Sequence, residues 1–150
     1  MPPILALLLL LLAALAPALH AVESDSDPVA SADPDYVGGK KAIESREWNA
    51  AIGLFSAAAL RSPDNADIQN YLGFAHRNAG RLDVALGHYQ RALKLDPRHR
   101  GAHEYIGEAY LMAKDLGKAE EHLAALDRLC LLPCSEYSDL KARIAAYKKR

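Results

Sequence analysis

Little in this 150-residue chain is suited to covalent chemistry. It has two cysteines, too few for a disulfide-built miniprotein or a four-thiolate zinc site. Its 18 basic and 19 acidic residues leave a formal net charge of -1. There is no basic excess to neutralise a phosphate backbone, so nucleic acid is not an expected partner. No G-x-S-x-G, P-loop or dinucleotide-binding glycine pattern occurs, and no cofactor is expected. The length allows one domain or a small repeat array, and a hydrophobic fraction of 51% is too high for a disordered chain.

Charge is also missing from one place in particular. Met1 to Val22 carries no charged side chain, and Ile4 to Ala16 is almost pure Leu and Ala. Ala16-Pro17-Ala18 and Leu19-His20-Ala21 then offer small residues at the spacing a signal peptidase accepts. No Lys or Arg precedes the apolar core, so the N-terminal amine alone supplies positive charge there. Residues 1–21 are expected to be a signal peptide, and the mature chain periplasmic or secreted. The alternative is a membrane anchor formed by residues 1–22, because roughly 20 apolar residues can span a bilayer. Membrane association is expected only if this leader is retained. Residues 22–34, rich in Asp, Ser and Pro, are expected to form an acidic flexible linker.

What is present is a repeat. Shifting the chain on itself by ~34 residues aligns Gly39, Gly73 and Gly107. It also aligns Ala51, Ala85 and Ala119, then Phe55, Tyr89 and Leu123, then Ala58, Ala92 and Leu126. Pro63 and Pro97 close the first two units, where the third has Leu131 with Pro133 two residues later. Leu82, Ala85, Leu86, Tyr89 and Leu93 recur at helical spacing, so this stretch is an amphipathic helix. Gly80 suits the left-handed position after the preceding helix. Ser62-Pro63 and Asp96-Pro97 stop one helix and start the next, because proline cannot continue a helix but suits its first turn. The last segment places Tyr137, Leu140, Ile144 and Tyr147 on one face, with Asp139, Lys141, Arg143, Lys148 and Lys149 elsewhere. A capping helix over residues 135–149, N-capped by Ser135, is expected.

The middle unit, with Tyr71-Leu72-Gly73-Phe74-Ala75, Gly80, Ala85, Tyr89, Ala92 and Asp96-Pro97, resembles the tetratricopeptide repeat family. The first unit keeps Gly39, Trp48, Ala51, Phe55, Ala58 and Pro63, with Gly38 where the family prefers Leu; the third keeps Ile106-Gly107, Tyr110 and Ala119. The resemblance implies an all-α fold: three helix-turn-helix repeats, about 32–65, 66–99 and 100–133, in a short right-handed α-solenoid. With the capping helix, the folded domain runs from 35 to 150.

The resemblance further implies a concave groove lined by the first helix of each unit, and a non-enzymatic scaffold that binds a protein or peptide partner there. Carried over by register, the groove residues are Lys40, Asn70, Phe74, Arg77, Asn78, Glu104 and Glu108. Tyr36, Ile43, Glu44, Asp67, Leu111 and Met112 stand beside them. The surface should change sign, from Lys40 and Arg77 at one end to Glu104 and Glu108 at the other. Gly101 and Tyr105 occupy positions where relatives that clamp a C-terminal carboxylate carry basic residues, so that mode of capture is not expected.

Cys130 and Cys134 sit where the third unit ends and the cap begins. In an oxidising compartment a structural disulfide is the simplest outcome. A thiol-redox pair or a copper carrier using the same two thiolates is the alternative function. His99 and His103 are four apart, a spacing that metals can use, but no third ligand follows and no metal is expected. His76, His88 and His122 occupy ordinary helical positions in the repeat register.

Overall fold

A computed structural model describes residues 32–150. The expected signal peptide and nearly all of the expected linker lie outside these residues. Among the described residues the elements are seven α-helices: α1 Pro34–Glu44, α2 Trp48–Arg61, α3 Ala66–Asn78, α4 Leu82–Leu95, α5 Arg100–Met112, α6 Leu116–Leu129 and α7 Ser135–Tyr147. The stretch assigned to the linker thus reaches one residue into α1, and the capping helix stops at Tyr147 rather than 149. None of these helices is long and apolar enough to cross a membrane.

The helix starts follow from their caps. Asp33 accepts hydrogen bonds from the Asp35 and Tyr36 amides, with Pro34 in the first turn, where its missing N–H costs nothing. Asn65 accepts from the Ile68 amide, and the His99 Nδ1 from the Ala102 amide. Ser135, expected as a cap, is instead the first helical residue of α7. Cys134 holds the extended cap conformation without a side-chain bond, and the Ser135 hydroxyl donates to Glu136.

Each hairpin turn is built the same way. Arg46, Gly80 and Lys114, one repeat apart, all take positive φ, at 59°, 79° and 61°. Behind each, the amide of the left-handed residue bonds three residues back, and the following amide five back: Arg46 to Ile43 and Glu47 to Ala42, Gly80 to Arg77 and Arg81 to His76, Lys114 to Leu111 and Asp115 to Tyr110. This double bond closes the last carbonyls of α1, α3 and α5 and reverses the chain.

Helices α1–α2, α3–α4 and α5–α6 pack as hairpins, α7 lies on α5 and α6, and α1, α3 and α5 neighbour one another along one side. The aligned glycines explain the close pairing. A Cβ on Gly39 would lie 2.7 Å from the Phe55 ring, and one on Gly73 2.6 Å from the Tyr89 ring. Gly107 departs from the pattern. Its space is filled by Leu140 of α7, 2.6 Å from such a Cβ, rather than by Leu123, which is half-buried. A leucine at 123 lacks the reach of the Phe55 and Tyr89 rings, so the cap closes the gap from the other side. One buried cluster centres on Tyr36, Phe55, Ile68 and Leu72, and a second on Tyr89, Ile106, Leu126, Leu140 and Ile144.

Candidate functional site

The side shared by α1, α3 and α5 carries the residues expected to line a groove. At the α1 end Lys40 is exposed, its Nζ 5.9 Å from the centroids of both the Tyr36 and Tyr71 rings. Tyr36 itself is buried between the Phe55 and Tyr71 rings, so it belongs to the core rather than to the lining. In the middle, Phe74 lies between Trp48, at a centroid distance of 6.1 Å, and Tyr105 at 5.0 Å. This half-buried aromatic floor is the most apolar part of the face.

Asn70 is 4% exposed, and its amide nitrogen sits close to Gly101, where a Cβ would stand 3.5 Å away. Gly101 therefore makes room for Asn70 at the α3–α5 seam, and the Asn70 Oδ1 is buried without a hydrogen-bond partner. Asn78 is exposed, and its side-chain amide donates back to the Phe74 carbonyl at 2.8 Å. Asp67 is tied to His99, the N-cap of α5. Because the His99 Nδ1 accepts from the Ala102 amide, its Nε2 carries the proton donated to Asp67 at 2.8 Å.

The sign change anticipated along the groove takes a different form. Arg77 and Glu108 are not opposite poles but one buried pair, Nη1 to Oε2 at 2.6 Å, each side chain 9% exposed. Arg77 also donates to the Tyr105 carbonyl at 3.2 Å and stacks over the Phe74 and Tyr105 rings. Arg143 of α7 ion-pairs with the other Glu108 oxygen. Two guanidinium groups thus share one carboxylate, joining α3, α5 and α7. Repeat register places these residues on one side but cannot say that they are close enough to neutralise each other.

Glu104 is half-buried and unpaired. Among the described residues it has no ion pair or hydrogen bond. Burial is the largest influence on its carboxyl, and Glu108, Asp139 and Glu136 add repulsion, so its pKa is pushed up to about 7 against the opposing pull of Arg143. The Tyr105 hydroxyl is likewise pushed up, to about 12, mainly by burial. Beyond Glu104, a cleft of ≈ 230 Å³ opens between α5 and α7, lined by Leu111, Met112, Arg143 and Tyr147 among others.

Sequence reasoning missed Tyr71 and Arg143 as parts of this face, and read Tyr105 only as the absence of a basic clamp residue. For Arg143 a signal existed: it is three residues from Leu140 and four from Tyr147, so it borders the apolar stripe of α7. Cys130 and Cys134 lie away from the groove, in the connection between α6 and α7, bonded to each other with Cα atoms 5.9 Å apart. Leu131 and Leu132 between them are 99% and 80% exposed. No group of three or more His, Cys, Asp or Glu residues that could hold a metal ion occurs among the described residues.

Comparison with known proteins places this arrangement. The tetratricopeptide repeat profile matches residues 36–87 and 75–130. Over 82 residues, 53% of this chain, the sequence is 34% identical to the mouse protein O-mannosyl-transferase TMTC1. Over 75 residues it is 28% identical to the Drosophila melanogaster protein O-mannosyl-transferase Tmtc3. In both cases the match spans only 8% of the relative's length. Among solved structures, the TPR2B domain of yeast Sti1, in a complex with pHsp70, superposes with a TM-score of 0.71 at 17% identity. It covers 77% of this chain and 94% of that one. The Yersinia enterocolitica type III secretion chaperone SycD, solved with a peptide of the translocator YopD, superposes at 0.66 and 20% identity, covering 85% and 94%. The first repeat domain of Spaghetti, solved with the HSP90 peptide SRMEEVD, gives 0.66 at 17%, covering 75% and 88%. At these identities the likeness is one of fold.

Proposed function

Because the chain belongs to the tetratricopeptide repeat family, we propose that it is an exported, non-enzymatic scaffold that binds a segment of a protein partner along the α1–α3–α5 face. The observation that carries this reading is the Phe74–Tyr105 floor next to Glu104. A half-buried aromatic pair gives an apolar anchor, and the unpaired carboxyl beside it, raised to about 7, gives a polar contact that a cationic partner would hold in its charged form. Solved relatives of the same fold that were captured with peptides support a peptide as the occupant. The sign of Glu104 favours a segment carrying a lysine, an arginine or a free amine near an apolar side chain. Export rests on the apolar leader at residues 1–21 and on the paired cysteines, which suit an oxidising compartment.

The mechanism is equilibrium binding with no bond chemistry. Removing Arg77 would be a poor test, because it would break a buried ion pair and the bond to the Tyr105 carbonyl and so damage the fold. Photo-crosslinkers placed in the full chain at Lys40, Asn78 and Glu104 should instead capture one common protein in the producing cell. The same crosslinker at Leu60 or Val84, exposed on the second helices, should not. Equal capture from both sides would overturn the groove assignment, as would unchanged capture from Lys40 in a Phe74→Ala, Glu104→Lys variant. N-terminal sequencing of the exported protein distinguishes a removed leader from a retained anchor.

A further inference from the structure

The second and third hairpins contain the same unusual device at the same register. In the second, the His88 Nδ1 of α4 meets the Gln69 Oε1 of α3 at 2.9 Å, and the His88 ring stacks on His76, centroids 5.2 Å apart at 12°. One repeat later, the His122 Nδ1 of α6 meets the His103 Nδ1 of α5 at 2.9 Å, and the His122 ring stacks on Tyr110, 5.7 Å apart at the same 12°. The corresponding residues of the first hairpin are Asp35, Ala42 and Leu54, with no imidazole among them. There α1 and α2 are joined by Arg61 instead, which bonds Asp33 and Asp35.

We propose that the couples His76–His88 and His103–His122 form an acid-responsive latch, holding the second and third hairpins shut at neutral pH and releasing them in mildly acidic medium while the first hairpin stays closed.

Hydrogen bonding and ring stacking oppose a charge on both rings of either couple. The His103 Nε2 is 3.0 Å from the Pro97 carbonyl, which can only accept, so that nitrogen carries the proton. In the neutral ring the His103 Nδ1 is then a lone pair, and the His122 Nδ1–H donates to it. One added proton can be shared between the two, with His122 changing tautomer. A second places two N–H donors head to head at 2.9 Å and two imidazolium rings 5.2 Å apart. In the other couple, charging both rings stacks two cations face to face, and the His76 Nδ1 is buried with no partner.

The surroundings do not compensate. Arg81 from the hairpin turn opposes charge on His76, and Arg91 on α4 opposes it on His88. Around His103 stand His99 on its own segment and Arg128 from α6, with Asp96 the opposing carboxylate. Lys118 covers the Tyr110 ring at 5.0 Å. Burial is the largest influence on all four histidines and moves each below its ordinary value, His122 furthest, to about 4.

A neutral ring in the fold and an ordinary imidazole in the opened chain fix the sign. The stabilisation is present above about pH 6.5, the free imidazole value, and is lost as the pH falls towards 4. Asp33, held at about 2 chiefly by its bond from Arg61, stays charged throughout that window, so the first hairpin keeps its contact.

Hydrogen exchange of the full chain, corrected for the intrinsic pH dependence of exchange, tests this segment by segment. Between pH 7 and pH 5, in a Glu104→Gln background that removes a raised carboxyl of α5 whose protonation would tighten the fold over the same range, the opening constant of α5–α6 should rise roughly 20-fold from His122 alone, given an opened-state value near 6.5. The α3–α4 hairpin should rise too, and α1–α2 should change little. Equal loosening of all three hairpins would overturn the proposal. In a His88→Gln, His122→Gln variant, which keeps a donor at each position, the acid response should disappear while protection at pH 7 is retained; a persisting response would also overturn it. Should that variant not fold, NMR titration of the rings in the unaltered protein decides. His88 and His122 midpoints well below 6.5 support the latch, and midpoints at or above 6.5 refute it.

Discussion

In the first hairpin the gap above Gly39 is filled by Phe55 of its own second helix, and the open end is tied by Arg61 to Asp33 and Asp35. In the third hairpin the gap above Gly107 is filled by Leu140 of the capping helix, and the two helices are tied by His103 and His122. The backbone turn is alike in both, down to the left-handed residue at Arg46 and Lys114. One register therefore tolerates quite different chemistry across the helix pair, provided each gap and each buried polar group is met from somewhere. The first hairpin is closed within itself; the third depends on α7.

The sharpest way to break this comparison is to add one methyl group to each glycine. Gly39→Ala drives a Cβ into three atoms of a fully buried, rigid ring and should cost about 3 kcal/mol. Gly107→Ala meets the tip of a leucine that can rotate, and alanine gains about 1 kcal/mol over glycine inside a helix, so a net loss of only about 1 kcal/mol is expected. Urea denaturation of the two variants measures both. Equal losses would mean that the Leu140 contact is as unyielding as the Phe55 ring.

The dependence on α7 can be probed at its tether. A Cys130→Ser, Cys134→Ser variant loses a short loop closure, about 2 kcal/mol on the chain-entropy view. Increased hydrogen exchange should appear first in α7 and then in α5–α6, with α1–α2 unaffected. Alkylation before reduction checks the premise. Both cysteines should resist labelling in the exported protein, and quantitative labelling of native protein would favour the carrier reading of the same residues.

These differences also mark what the sequence made legible. The period, the hairpins, the glycine gaps at 39 and 73 and the capping helix were readable, because they rest on residue size and spacing. Phe55 and Tyr89 recur at one period, and small residues recur opposite them. The filling of the third gap was not readable, since it depends on how far Leu123 reaches and on where α7 settles. The Arg77–Glu108 pair was half legible. Register put both residues on the inner face, but their approach across α3 and α5 is a distance that periodicity does not contain. The histidine couples were passed over for the same reason, because each of those residues taken singly occupies an ordinary helical position.

The smallest expected effect bears on what the two hairpins share. A residue with a Cβ in the left-handed region is strained by roughly 1 kcal/mol, and Gly80 shows the relaxed alternative in the second hairpin. Arg46→Gly and Lys114→Gly should each stabilise the protein by about 0.5 kcal/mol, the relief of strain being partly offset by the greater freedom of glycine in the unfolded chain. Both side chains are exposed, and neither makes a side-chain hydrogen bond or ion pair among the described residues, so little else changes. The two sites lie in different hairpins, so their effects should add. Thermal denaturation of the single and double variants gives the answer. If Lys114→Gly stabilised and Arg46→Gly did not, the turns would differ after all, and Arg46 would have to be making a favourable contact that repays its strain.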